Sequence, residues 1–290
     1  MMQSASMTGR RRVLVAALVV SLIVAGSGVV TLVTRNGGLR ANPAFAEGTI
    51  LELLGGSASK ISVVGDNIEV VVGTSSTVTS ASIVLGSEGF RRDFRAKTGT
   101  YGLYFDSVPG VQAGVKRLTV VVPENGTLTL TLVGEARLVL DQARLKELRL
   151  AGASSALQLD ATESGSIIDL VQIENVTGGF SATRLGNLDM ADLVIGNIVG
   201  SYDLDFSGSL GRHCDVSLHT AVGNGTLCIP RKPGAQLSIG SVLGKVMSSG
   251  FMAEGSKSFL NASAASGADR QLVVRIDNAI GQIQLVEVQQ

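Results

Sequence analysis

The chain has 290 residues, and its 24 basic and 24 acidic side chains leave a formal net charge of zero. A neutral chain offers no broad field that attracts nucleic acid, so no nucleic-acid partner is predicted. Aromatic residues make up only 4% of the chain and tryptophan is absent, which disfavours a groove that stacks sugars or bases on rings. The 36 glycines, set among many small and β-branched residues, instead predict strands and tight turns.

The N-terminal segment predicts a membrane anchor. Three arginines, Arg10 to Arg12, precede the uncharged stretch VLVAALVVSLIVAGSGVVTLVT at 13–34. A helix of this length reaches about 33 Å, enough to cross a hydrocarbon core of about 30 Å. Because basic residues favour the cytoplasmic side, the N-terminus would be cytoplasmic and the bulk of the chain extracytoplasmic. The sequence therefore predicts a basic cytoplasmic tail at 1–12, a single-pass signal-anchor helix at 13–34 and a polar linker at 35–48.

A cleaved signal peptide is the alternative for this segment. Ala44-Phe45-Ala46 has the small-x-small form of a cleavage site, and the arginines loosely fit a twin-arginine signal. The protein would then be secreted after cleavage near Ala46. The retained anchor is favoured because the apolar run is longer than a usual signal core and Ala46 lies well beyond its end.

Residues 49–116 are predicted to form N-terminal β rungs that include one unusual loop, GFRRDFRAKTGTYGLYF at 89–105. The loop holds five of the eleven aromatic residues, with four basic residues among them. Exposed, it would grip an anionic polymer, lipid headgroups or a partner domain. The favoured interpretation is a hairpin whose aromatic residues close the first end of the solenoid while its cations stay solvated, and one element could do both. The candidate partner-binding residues are Phe90, Arg91, Arg92, Phe94, Arg95, Tyr101 and Tyr104.

Residues 117–290 carry a ladder of apolar pairs, with helix-like spacing only around Ala143 to Leu150. The members of a pair are two positions apart, which puts both on one face of a strand. Pairs recur about every ten residues, as in a β-solenoid whose rungs stack on one another, although a β-sandwich has similar spacing. The pairs are Leu138/Leu140, Leu148/Leu150, Leu157/Leu159, Ile168/Leu170, Leu188/Met190, Leu204/Phe206, Val216/Leu218, Leu227/Ile229 and Leu237/Ile239.

A longer repeat favours the solenoid over the sandwich. Apolar residues follow both Pro123 and Pro230 at the same offsets of 7, 9 and 16 positions. Each proline is predicted to end a strand, where its missing N–H costs least. We therefore expect two related ladder halves, one after the other.

Two C-terminal segments, TLCIPRKPGAQLSIGSVLGKVMSSGF (226–251) and QLVVRIDNAIGQIQLVE (271–287), resemble the C-terminal signature of the toast-rack β-solenoid proteins. NIEVVVGTSS (67–76) and LTVVVPENGTLTLTL (118–132) are similar to the first rungs of adhesin-like members. The superfamily includes adhesin-like proteins of unknown function and LiaF-type regulators of the cell-wall-antibiotic response. The resemblance implies an extracytoplasmic, non-enzymatic β-solenoid. LiaF-type proteins usually carry several membrane spans, whereas one is predicted here.

All histidine and cysteine residues fall in one window: His213, Cys214, His219 and Cys228. They are the ligand types that zinc prefers, but strand alternation points Cys214 inward and both histidines outward, so no metal site is predicted. A Cys214–Cys228 disulfide would suit an oxidising exterior, although the same alternation points the two sulfurs to opposite faces. Alternation favours a core Cys214 and a partly exposed Cys228.

Asp203 and Asp205, with Asp189 and Asp192 one rung earlier, are candidate carboxylates for Ca²⁺ or for the acid pair of a sugar-cleaving β-helix enzyme. Alternation places them on a solvated face, without a calcium-loop motif or a wall of aromatic residues. The sequence also lacks a Gly-x-Ser-x-Gly elbow, a Walker loop and a His-Glu-x-x-His motif. It therefore predicts neither an enzyme nor a cofactor.

These observations predict a membrane-anchored, all-β solenoid that acts as an adhesin-like binding or scaffolding module at the cell envelope. Its partner would be an envelope polymer or a membrane protein. Two alternatives remain: an envelope-stress regulator that contacts a membrane sensor, and a carbohydrate-active β-helix enzyme.

Overall fold

A computed structural model of the chain describes residues 44–53, 58–93, 99–105, 114–153, 156–161 and 165–289. These residues form one sheet of 19 strands, with a 3₁₀ turn at Leu185–Asn187 and one short helix, α1, at Ala262–Ala265. The strands are β1 (Ile50–Glu52), β2 (Ala58–Val64), β3 (Ile68–Ser75), β4 (Ser82–Leu85), β5 (Arg91–Arg92), β6 (Tyr101–Tyr104), β7 (Lys116–Pro123), β8 (Gly126–Val133), β9 (Glu135–Leu140), β10 (Arg144–Ala153), β11 (Ala156–Asp160), β12 (Ile167–Thr183), β13 (Asp189–Asp205), β14 (Cys214–Val222), β15 (Gly225–Pro230), β16 (Gly234–Ser249), β17 (Met252–Ala253), β18 (Ser258–Leu260) and β19 (Arg270–Val288).

The cytoplasmic tail, the transmembrane helix and most of the linker predicted from the sequence lie outside the described residues. Within the described ranges, no helix has the length and apolar character needed to cross a membrane. All described residues belong to one compact unit, Leu39–Gln290.

Alternating burial explains why these residues form strands. In β8, GTLTLTLV, the leucines Leu128, Leu130 and Leu132 are buried, while the threonines between them are half-exposed. Branched threonine side chains fit a pleated, half-buried surface, and the leucines join one continuous core. The all-β prediction is confirmed.

The strands stack as nine rungs, and each rung runs along a first face and then, beyond a corner, along a second face. Where a rung is written as two strands, the first strand lies on the first face and the second strand on the second face. In spatial order the rungs are β6/β7, β2/β3, β8/β9, β10/β11, β12, β13, β14/β15, β19 and β16. All neighbouring rungs pair in parallel. Stacking buries the apolar side of each rung between the two faces.

Chain order and spatial order differ at both ends of the ladder. The rung β2/β3 lies inside β6/β7, which follows it in the chain, and β19 inserts between β14/β15 and β16. The boundary predicted between 116 and 117 falls at the beginning of β7, whose whole length pairs with β3. β3 and β7, on either side of that boundary, are thus neighbours in one ladder, and Pro123 and Pro230 are the last residues of β7 and β15.

The predicted apolar pairs are buried with one exception, Leu170, which is half-exposed. In β12 the inward positions are Ile168 and Val171, three residues apart, because the strand contains an extra residue at this point. β10 shows the same spacing at Leu145 and Leu148. The helix-like spacing in the sequence is therefore a β-bulge, which shifts alternation by one residue.

A line of glycines marks the corner where the rungs turn from the first face to the second. Gly178, Gly200, Gly223, Gly281 and Gly244 come from five consecutive rungs, with φ between 107° and 148°. A Cβ on Gly223 would lie 1.8 Å from the carbonyl oxygen of Gly200, and one on Gly244 would lie 1.9 Å from that of Gly281. Only glycine allows rungs to stack this closely at the corner.

Candidate functional site

The basic-aromatic loop builds a hairpin on the first rung. β5 and β6 pair antiparallel, with Arg91 opposite Tyr104 and Arg92 opposite Leu103. The Phe90 ring is fully buried and meets the edge of the Phe105 ring, with centroids 6.0 Å apart and planes at 60°. Such edge-to-face contacts add to the gain from burying the rings.

Two cations of this region lie over aromatic rings rather than extending into solvent. The guanidinium of Arg92 is 5.2 Å from the centre of the Tyr101 ring, and the ammonium of Lys116 is 4.9 Å from that of Phe105. Burial raises the pKa of the Tyr101 hydroxyl, and the nearby Arg92 charge offsets part of that rise. The tyrosine therefore stays neutral.

The candidate binding loop is therefore only partly available to a partner. Phe90 belongs to the core, which corrects its assignment as a contact residue, because a side chain without exposed surface cannot touch a ligand. Arg91, Arg92, Tyr101 and Tyr104 are half-buried on the hairpin. The remaining two candidates, Phe94 and Arg95, lie outside the described residues.

The end of the predicted linker is part of this hairpin region. The Phe45 N–H donates to the carbonyl of Phe90 at 2.7 Å, and the Gly89 N–H donates to the carbonyl of Phe45 at 3.2 Å. The Phe45 ring is half-buried against the core. The packed fold thus begins before Ala46, the predicted cleavage position.

A second candidate site is a row of polar side chains on the outer surface of the second face. Strand register aligns Glu69, Arg137, Gln158, Ser181 and Asp203 across five consecutive rungs. We call these five residues the polar row. At about 4.8 Å between neighbouring strands, its four steps span about 19 Å.

Ion pairs fix the beginning of the polar row. The Glu69 carboxylate accepts a hydrogen bond from the Nε of Arg117 and lies 3.7 Å from one Nη of Arg137. The other Nη of Arg137 donates to Asp160. The carboxylates of Glu69 and Asp160 are about nine-tenths buried, whereas Arg137 is half-exposed. The hydrogen bond to Asp160 raises the pKa of Arg137. Arg137 therefore presents a fixed positive charge to solvent.

The polar row lines an open groove of about 370 Å³. Residues near the corner also line the groove: Asn67, Glu135, Ala156, Gly179 and Ser201, with Val115 beside them. The groove offers carboxylates, amides, hydroxyls and one guanidinium, but its only aromatic side chain, Phe180, is buried. Such a surface is suited to hydrogen-bond a polar, extended ligand rather than to stack rings.

The candidate acidic residues fall into different environments. Asp203 is exposed in the polar row, whereas Asp205 accepts from Arg184 N–H, Ser207 N–H and the Ser207 hydroxyl, at 3.3, 2.8 and 2.9 Å. Asp205 thus holds the chain where it leaves β13. Asp189 pairs with Arg212 at 2.9 Å.

The histidine and cysteine residues are separated by the sheet. Cys214 is fully buried on β14, and burial raises the pKa of its thiol to about 12. Cys228 is half-buried on the outer side of β15, and both thiols are free, so the alternative disulfide is not formed. His213 and His219 point outward and contact Asp215 at 3.1 Å and Asp277 at 2.7 Å. The described residues contain no cluster of three or more such side chains able to hold a metal.

Sequence reasoning missed the polar row as a unit. Its members come from five separate strands, and the inter-strand register that aligns them is not written in any one segment. The available signal was the single polar residue between two inward apolar residues of each strand, as in Leu157-Gln158-Leu159. Alternation along β13 groups Asp203 with Asp205, whereas the inter-strand register groups it with the polar row.

No protein-family model and no curated protein match the chain. Solved structures that are similar to it include a "putative cell adhesion protein" from Clostridium sporogenes (16% identity, 86% of this chain and 100% of that one, TM-score 0.38), a "putative adhesin" from Bacteroides fragilis (9%, 84% and 98%, 0.37) and a "putative lipid binding protein" from Parabacteroides distasonis (11%, 83% and 97%, 0.30). At these TM-scores the similarities carry no argument about ligands. The resemblance to LiaF-type regulators stays a prediction.

Proposed function

We propose that this chain is a non-enzymatic, adhesin-like binding module of the toast-rack β-solenoid type. Residues 13–34 would hold it at the cell envelope, and the polar row would bind a neutral, hydroxyl-rich polymer of that envelope. The observation that carries the proposal is the alignment of five polar side chains across five consecutive rungs beside a groove of about 370 Å³.

The geometry of the polar row favours an extended ligand. Its exposed polar groups, from Arg137 to Asp203, recur at the strand spacing of about 4.8 Å, so a polymer lying across these strands would meet a donor or acceptor at each step. The row contains both charge signs and neutral groups. A neutral polymer with many hydroxyls matches this mixture better than a highly charged one, because hydroxyls both donate and accept.

Binding of purified cell-wall polysaccharide to the full-length chain in mild detergent tests the proposal. The double variant Gln158→Ala/Asp203→Ala removes two exposed members of the row that take part in no ion pair holding the fold. Loss of two hydrogen bonds predicts a fall in affinity of about tenfold, measured by calorimetry or biolayer interferometry.

The matched control is Gln172→Ala/Asp192→Ala. These residues have the same chemistry on the outer surface of the first face, in rungs β12 and β13. Affinity should change less than about twofold in this control. Equal weakening in both variants, or no binding of wall polymers by the unaltered chain, would contradict the assignment of the polar row.

A further inference from the structure

The last rung has an uncovered strand edge. β16 pairs with β19 along its whole length, but on its other side β18 covers only Gln236 to Ser238. Beyond this, Lys257 contacts Ile239 and Gly240. From Ser241 to Ser249, no described segment forms a strand on the outer side. An edge of this kind presents N–H and C=O groups that can pair with another strand.

Apolar side chains lead across the outer surface of the first face to this edge. Register aligns Val199, Val222, Ile280 and Leu243, from four consecutive rungs, into what we call the edge stripe. Val199 and Ile280 are each 49% exposed, and Leu243 on the last rung is 73% exposed. Single exposed apolar residues are ordinary, but a row of them that ends at an open strand edge marks a contact surface.

The edge is also self-complementary. Gly244 forms the corner of β16, so an antiparallel contact with a second copy can place corner on corner, Gly244 opposite the partner's Gly244. Val242 would then lie opposite the partner's Val246, and both are half-buried residues that pack on the core. Leu243 would lie opposite the partner's Lys245, whose aliphatic stem can cover it. The two Lys245 residues would lie diagonally across the pair rather than directly opposite each other.

The opposite end of the ladder offers no open edge with which β16 of another copy could pair. There, β7 is covered by β4, β4 by β1, and β6 by the two-residue β5. Among the described strands at that end, no edge of comparable length is left for a head-to-tail contact. The zero net charge also means that two copies do not repel each other as whole bodies.

We propose that two copies of this chain associate through antiparallel pairing of Ser241–Met247, about a twofold axis at Gly244. Such a contact uses the same surface on both copies and is therefore a closed dimer rather than a fibre. The chain enters the described fold at Phe45, beside the hairpin at the other end of the ladder. The two entry points would lie at opposite ends of the pair.

Sedimentation of the full-length chain in mild detergent, over about 1–100 µM, tests the proposal. The unaltered chain should form dimers in this range. Leu243→Lys places like charges opposite each other across the contact, and should raise the dimer Kd at least about tenfold. Adding Lys245→Glu to that variant places opposite charges across the contact in this register, so dimerisation should recover.

The matched control is Val115→Lys, because Val115 is 56% exposed and immediately precedes β7 at the opposite end of the ladder. Its Kd should stay within about twofold of the unaltered chain. A monomer throughout the range, a dimer insensitive to Leu243→Lys, equal loss in the control, or no rescue by Lys245→Glu would each overturn the proposal. Association through the N-terminal segment would appear as a dimer insensitive to Leu243→Lys. Pairing only with a different protein's strand would appear as a monomer throughout the range.

Discussion

The two ends of the ladder follow the same plan but finish differently. At both ends the outermost rung comes from the interior of the chain, β6/β7 at one end and β16 at the other, and a rung from elsewhere in the chain lies just inside it. The first end, which we call the closed end, is covered on both faces by antiparallel strands. The second, the open end, is covered on one face only.

Rung stacking and end closure therefore place separate demands on the sequence. Stacking is solved by inward aliphatic side chains and corner glycines, which recur along the ladder. Closure needs residues of another kind, and at the closed end these are Phe45, Phe90 and Phe105. At the open end, Val242 and Val246 stay half-exposed and Leu243 faces solvent.

The largest expected effect breaks the ladder on which both ends depend. Gly223→Ala would place a Cβ 1.8 Å from the carbonyl oxygen of Gly200, at φ 134°. We expect a loss of more than about 5 kcal/mol in the free energy of unfolding, measured by denaturant titration of the full-length chain. Gly255→Ala is the control, with φ 83° and no atom within 4 Å of the new Cβ, and should cost about 1–2 kcal/mol. Similar losses in both would show that the corner does not require glycine.

A matched pair of truncations compares the ends directly. Phe90→Ala at the closed end removes a fully buried ring, so the free energy of unfolding should fall by about 3–5 kcal/mol. Leu243→Ala at the open end removes a side chain that is 73% exposed and should change the monomer's stability by less than about 0.5 kcal/mol. Denaturant titration at a concentration below dimerisation measures both. Losses of equal size would refute the difference between the ends.

A smaller effect sharpens the description of the closed end. A chain that begins at Glu47 lacks the Phe45 ring and its two backbone hydrogen bonds to the hairpin. Compared with a chain that begins at Ala44, we expect it to lose about 2–3 kcal/mol in the free energy of unfolding. Equal stability of the two chains would mean that the fold begins after Ala46, and that cleavage there costs nothing.

The sequence predicted the strands better than their arrangement. Alternation in β8 and the prolines that end β7 and β15 are local features, so they could be identified without a structure. The insertion of β19 between β14/β15 and β16 could not, because parallel pairing leaves no local mark of its order. The bulge in β12 was also missed, since one extra residue moves Leu170 outward without changing the apolar composition.

The candidate sites also contain some features that the sequence predicts and others that it does not. Aromatic and basic composition identified the hairpin segment, but composition does not distinguish a ring that binds a partner from one that fills a core, and Phe90 fills the core. The inward direction of Cys214 followed from alternation alone. The polar row needed the register of five strands, which only the folded structure supplies.

Hydrogen exchange of the full-length chain, below the concentration at which it dimerises, tests the central claim most directly. We expect protection of consecutive amides in β7 from Leu118 to Val121, which has a strand on each side, and of only alternate amides from Ser241 to Ser249. Complete protection of both segments in the monomer would mean that another part of the chain covers β16. That result would contradict a ladder with one closed and one open end.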